Sequence, residues 1–132
     1  MNDEKKDLYI ELKALDQQIK QLQGHIESID TQLTEIRGVK TDISEFSKLE
    51  PGTEIKVPLT NGIFFDAKLV RNKELLVNVG ANVSVAKDIP QINGMLSKQE
   101  EELKSLRSTL VAQFESLVTR VEEIQAAFSE NK

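Results

Sequence analysis

The 132-residue sequence contains no cysteine and no tryptophan, and only 5% of it is aromatic. Without cysteine there is neither a disulfide framework nor a thiolate metal site. With 30% of its residues charged and so few large rings, the chain cannot fill a sizeable globular core. No apolar run approaches the roughly 20 residues that cross a bilayer. Met1 to Asp7 is charged, so no signal region is expected there. The net charge is −5, with acidic and basic residues intermixed and no basic tract. A nucleic-acid partner is therefore not expected. No phosphate loop, metal spacing or catalytic constellation is present. His25, the single histidine, has no nucleophile or cleft to work with. The expectation is a cytoplasmic, non-enzymatic protein with no cofactor, no metal and no membrane partner.

What is present is periodicity. Leu8, Leu12, Leu15, Ile19, Leu22, Ile26, Ile29, Leu33 and Ile36 follow one another in steps of four and three. That is the a/d seam of a left-handed coiled coil. Gly24 and Gly38 fall at the solvent-facing f position and cost helix propensity without removing a seam contact. Past Ile36 the repeat loosens, with Lys40 at an a position. Pro51-Gly52 then ends the helix. The expected arrangement is one domain over 1–132: a helix over 1–50, two β-hairpins over 53–88 and a helix over 90–130. Each helix of about 40 residues would run roughly 60 Å.

Between the helices the period changes to two. Ile55, Val57 and Leu59 alternate with polar residues, and Thr60-Asn61-Gly62 precedes Ile63 to Leu69. A two-residue turn would set Val57 opposite Asp66. A three-residue loop pairs Leu59 with Ile63, Val57 with Phe65 and Ile55 with Ala67, and sets Lys56 against Asp66 and Glu54 against Lys68. The second register gives one apolar face and two opposite-charge pairs, and is the one expected. Gly62 takes the left-handed position. The second hairpin repeats the scheme: Val79 with Val83, Val77 with Val85 and Asn78 with Ser84, with Asn82 left-handed. Asn82-Val83-Ser84 matches a glycosylation sequon, incidental without a signal segment.

Asp88 and Pro90 mark the start of the second helix. Its apolar series is Ile92, Leu96, Leu103, Leu106, Leu110, Phe114, Leu117, Val121, Ile124, Phe128, with Gln99 at one seam position. The steps from Leu106 to Leu110 to Phe114 are four and four, a stutter expected to unwind the supercoil locally. Glu100-Glu101-Glu102 reads as a solvated face.

Two lone hairpins and one thin helix pair are marginal in water, and their strand edges are open apart from Pro58. The strands are therefore expected to join those of other subunits in an intersubunit barrel. The assembly residues are Ile55, Val57, Leu59, Ile63, Phe65, Val77, Val79, Val83 and Val85. Lys56 to Ile63 (KVPLTNGI) and Leu76 to Val85 (LVNVGANVSV) resemble the hairpin signatures of the archaeal-type prefoldin alpha subunit. The likeness spans helix, two hairpins and helix; beta-class subunits carry one hairpin. The resemblance implies an ATP-independent chaperone of two alpha and four beta subunits. Its helix tips would hold non-native client proteins and pass them to a group II chaperonin. Leu8, Tyr9, Ile10 and Leu12 at one terminus and Val121, Ile124, Ala127 and Phe128 at the other are the expected client-binding tips. Seam packing is the competing role for Leu8, Leu12, Val121 and Ile124. The rival class is a structural coiled-coil adaptor, whose seam would stay regular to both ends. The hexamer and a filament-forming assembly are both open.

Overall fold

Steps of four and three give two helices, and the period-two segment gives four strands. The computed structural model describes residues 3–130. Residues 1, 2, 131 and 132, included in the expected ranges 1–50 and 1–132, lie outside the described residues. In chain order the elements are α1 (Asp3–Ser47), β1 (Glu54–Thr60), β2 (Ile63–Lys68), β3 (Glu74–Gly80), β4 (Val83–Asp88) and α2 (Ile89–Glu130). β1 pairs antiparallel with β2, and β3 with β4, as two separate two-stranded sheets. The chain divides into two compact units, Met1–Thr34 with Glu101–Lys132 and Glu35–Glu100.

In the first unit α1 and α2 pack along a narrow apolar seam. Leu15, Ile29, Leu33 and Ile124 are buried. Leu12, Ile19, Leu22 and Ile26 on α1 are half-buried, as are Leu103, Leu110, Phe114, Leu117 and Val121 on α2. The expected stutter at Leu106 is absent. Leu106 is 49% exposed, and the half-buried residue beside it is Arg107. With Val111, Val118 and Ala127 half-buried beside it, the α2 seam runs Glu100, Leu103, Arg107, Leu110, Phe114, Leu117, Val121, Ile124, Phe128. Its steps alternate three and four throughout. Helical phase, not residue type, chooses the seam. A guanidinium can lay its aliphatic stem along the seam and keep its head at the rim. Arg107 Nε and Nη2 donate to the two carboxylate oxygens of Asp30 at 2.6 and 3.4 Å.

In the second unit Ile43 and Ile92 are buried. The four-then-four step falls here, at Ile92, Leu96 and Glu100, rather than farther along α2. Gln99, expected on the seam, is exposed, and Glu100 takes that place. Arg37 Nε and Lys40 Nζ donate to the Glu100 carboxylate at 3.1 and 3.3 Å. Glu100 thus leaves the expected solvated face, with its side chain only 13% exposed. Lys40 keeps the a position that the heptad assigns to it because an acid stands opposite. A charge lowered into a seam without such a partner would be costly.

The helix ends are closed by side chains. Asp88 Oδ1 accepts from the Gln91 backbone N–H at 2.8 Å, and Gln91 Oε1 accepts from the Asp88 N–H at 3.2 Å. This reciprocal capping box starts α2 one residue before Pro90. At the C-terminal end of α1, Asn72 Nδ2 donates to the carbonyls of Ser47 and Leu49 at 3.3 and 2.7 Å. It satisfies carbonyls that the end of α1 leaves without helical partners.

Both hairpins keep the expected register in their bodies and differ at their tips. Ile55 faces Ala67, Val57 faces Phe65, Lys56 faces Asp66 and Glu54 faces Lys68. Lys56 and Asp66 form an ion pair. At the tip Thr60, not Leu59, faces Ile63, with a register shift between Pro58 and Thr60. Likewise Val77 faces Val85 and Asn78 faces Ser84, but Gly80, not Val79, faces Val83. Each connection is thus two residues long, and the extra residue sits in a bulge. The bulge lets a tight turn coexist with the register that keeps like faces together. Gly62 has the expected positive φ, 74°. In the second turn Ala81 joins Asn82 in the left-handed region, at 51° and 61°. Two such residues match the twist of the flanking strands.

The observed seam yields a test. Leu106→Gln should change stability by no more than about 0.5 kcal/mol, as for an exposed site. Leu110→Ala should cost about 2 kcal/mol through lost packing. Urea unfolding measures both. A larger cost at Leu106 would restore the stuttered seam.

Candidate functional site

In the first unit the first turns of α1 lie beside the last turns of α2. Arg120 on α2 grips Glu11 on α1 with two hydrogen bonds, Nε to Oε1 at 2.7 Å and Nη2 to Oε2 at 3.0 Å. Its Nη1 donates to Glu123 at 3.2 Å. The fork geometry fixes the two helices side by side at this point. The hydrogen bonds from Arg120 hold the Glu11 carboxyl below the usual carboxylate range, against a smaller desolvation effect. The same bonds raise Arg120 above the usual guanidinium value.

The expected tip residues separate into two sets. Leu8, Leu12, Val121, Ala127 and Phe128 are half-buried, and Ile124 is 1% exposed. Ile124 is thus enclosed in the helix contact. Tyr9 and Ile10 lie off the seam and are 50% and 62% exposed. Lys13 Nζ stands 4.8 Å from the centroid of the Tyr9 ring, a cation–π contact. Tyr9 also borders a groove of about 580 Å³ with Leu12, Lys13, Asp16, Lys20 and Val121. This is a surface with an apolar floor and charged walls.

The second unit carries a larger apolar exposure. Ile55, Val57 and Val77 are half-buried. Leu59, Ile63, Phe65, Val79, Val83 and Val85 are exposed by 43% or more. In the hairpin segment three further residues, absent from the sequence-based set, are exposed as well: Phe64 at 56%, Val70 at 78% and Leu76 at 75%. Phe64 and Leu76 lie on the opposite sheet face from Phe65 and Val77, because successive strand residues alternate. The signal was in the sequence, where three apolar residues run together at Ile63 to Phe65 and again at Leu75 to Val77. Such runs indicate strands covered on both faces. Nothing in the sequence marks Asn72 as the residue that closes α1.

Among the described residues there is no cluster of three or more potential metal ligands. No described helix is long and apolar enough to cross a membrane.

The Prefoldin family model, described as Prefoldin subunit, matches residues 15–132. The chain belongs to the prefoldin family. Its relatives place it in the alpha class. It is 30% identical over 117 residues to prefoldin subunit alpha of Thermofilum pendens, covering 89% of this chain and 91% of the relative. It is 28% identical over 130 residues to prefoldin subunit alpha of Methanococcus aeolicus, covering 98% and 88%. The fold is similar to a chain in the cryo-EM structure of filamentous PFD from Methanocaldococcus jannaschii. There the TM-score is 0.78 at 19% identity, over 90% of this chain and 98% of that one. Family membership makes this a prefoldin-type chaperone subunit, one that assembles with other prefoldin subunits.

The Glu11–Arg120 pair sets a pH test. Glu11 has a lowered folded value, so its contribution is complete above the ordinary value of 4.5 and lost as pH falls through the lowered one. The melting-temperature gap between wild type and Glu11→Gln should hold steady from neutrality to about that pH and close below it. No gap at neutral pH, or one that does not change on acidification, would mean that the pair does not form.

Proposed function

We propose that residues 1–132 form a single domain acting as the alpha subunit of a cytoplasmic hetero-oligomer with prefoldin beta subunits, two alpha to four beta. The hairpins join strands of neighbouring subunits in a barrel. The paired helix ends hold non-native proteins without ATP and release them to a group II chaperonin. The observation that carries the holding function is the exposure of Tyr9 and Ile10 beside the seam rather than in it. Apolar area of this kind binds unfolded chains without a fixed hydrogen-bond pattern. The barrel rests on the exposed apolar strands and their unpaired edges.

From Glu100 out to Phe128 the α2 seam is regular, so irregular packing near the tip does not argue for a holdase over an adaptor. Family membership and the off-seam residues now support the chaperone reading. A second reading is assembly into filaments, favoured by the fold similarity to a chain of a filamentous structure.

Two experiments separate holding from assembly. Tyr9→Ser with Ile10→Ser should leave the native mass unchanged and weaken protection of unfolded model proteins in a light-scattering aggregation assay. Unimpaired protection across several clients would rule out these residues as the holding surface. Val77→Asp with Val85→Asp should abolish the oligomer, because two unpaired carboxylates buried together cost several kcal/mol. An unchanged mass would show that this sheet face is not buried on assembly. A mass far above a hexamer would favour the filament.

A further inference from the structure

A second groove runs along the first unit, away from the tip. It has a volume of about 830 Å³ and lies between Gln18, Gln21 and His25 on α1 and Thr109, Gln113 and Ser116 on α2. Leu22, Leu117 and Ala112 complete its floor. His25 also borders a shallower trough of about 290 Å³ with Ser28, Ile29, Leu106 and Leu110. The shared histidine makes the two adjoining troughs over successive turns of α1, together termed the channel. Neither lining contains an aspartate, glutamate, lysine or arginine. In a chain that is 30% charged, this is a chemically distinct stretch. The groove at the tip, by contrast, has Lys13, Asp16 and Lys20 on its walls.

The lining has a defined recognition chemistry. The floor is apolar. The walls carry amides and hydroxyls, which donate and accept, so they can pair with backbone N–H and C=O groups in any register. The groove is open, with Leu22 and Leu117 half-buried and the rest of its lining exposed; a charged group packed against that floor would lose part of its water and find no counter-charge in the lining, at a cost. Exposed Leu106 supplies an apolar anchor at one end, outside the helix seam. Glutamine, serine and threonine walls do not demand any one side chain from the occupant.

We infer that this groove is a second client site, selective for uncharged segments of non-native proteins that mix apolar with amide or hydroxyl side chains. The inference rests on the chaperone reading above and assigns client chemistry to the middle of the helix pair. The tip takes segments with charged flanks; the channel takes segments without them.

The test uses the full-length subunit in its assembled form and two fluorescent peptides of equal length. One contains leucine, glutamine and serine. In the other the glutamines are replaced equally by lysine and glutamate, with the leucines unchanged. Wild type should bind the uncharged peptide more tightly. Ser108→Glu or Ala112→Glu should weaken that binding about tenfold, the fold-change of about 1.4 kcal/mol, and leave the charged peptide unaffected. Both positions are exposed, so the helices should remain intact, and circular dichroism checks this. Ala112→Gln should bind like wild type. Because the chain has no cysteine, a single Ser108→Cys carrying a photo-crosslinker should label the uncharged peptide alone. No preference in wild type, or equal losses for both peptides in the glutamate variants, would overturn the inference. If Tyr9→Ser with Ile10→Ser changes neither peptide while the groove variants act as stated, the tip assignment fails and the channel stands.

Discussion

Leu15, Ile29, Leu33, Ile43, Ile92 and Ile124 are the buried apolar residues of the described chain, and all six lie on the two helices. Helix-on-helix contact is therefore the core, and it is one seam wide. Such a seam exposes the outer faces of both helices and covers no strand. Everything distinctive about the protein follows from this constraint. No described strand residue is fully buried, and Leu59, Ile63, Phe65, Leu76 and Val79 keep large apolar exposure. The helix faces stay free to carry binding surfaces. In the function proposed above, stability and function are divided between burial within a subunit and burial between subunits.

A narrow apolar seam specifies register weakly, since a slip by one heptad exchanges one leucine for another. The polar positions supply what the leucines lack. Asp30 with Arg107, and Arg37 and Lys40 with Glu100, place opposite charges across the helix pair at particular heights. A heptad slip would separate each set and leave a half-buried charge without its partner. Surface ion pairs add little stability, typically below about 1 kcal/mol. Their use here is to penalise wrong alignments, as polar seam residues do in coiled coils. Glu11 with Arg120 performs the same service near the chain ends.

The order of elements, the heptad of α1 and the strand registers were readable because each rests on a strong periodic signal. Lys56 opposite Asp66 was predictable from charge and alternation alone. Along the helices the departures share one origin: phase, not residue type, decides which side chains meet. Leu106 looked like seam because it is leucine, yet phase put Arg107 there. Glu100 looked like solvent because it heads an acidic triplet, yet Arg37 and Lys40 draw it in. At the hairpin tips a bulge reconciles a two-residue turn with the register that alternation alone assigns to a three-residue loop. Of the expected tip residues, Tyr9 and Ile10 stand exposed and Ile124 is enclosed, a distinction that needs the helix contact itself. The uncharged channel was not legible either. Its residues are unremarkable in sequence and become a surface only when α1 and α2 bring Gln18 to His25 against Thr109 to Ser116.

The central claim is that the helix seam stands on its own while the hairpins depend on neighbouring subunits. Amide hydrogen exchange on the dilute isolated subunit and on the assembled oligomer tests it most directly. Opening free energies differ between regions of one protein, and exchange reads them separately. Amides around Ile29, Leu33 and Ile124 should be protected to a similar extent in both states. Amides of Ile55 to Leu59 and Leu75 to Val79 should exchange rapidly in the isolated subunit and become strongly protected on assembly. Equal strand protection in the two states would contradict the account.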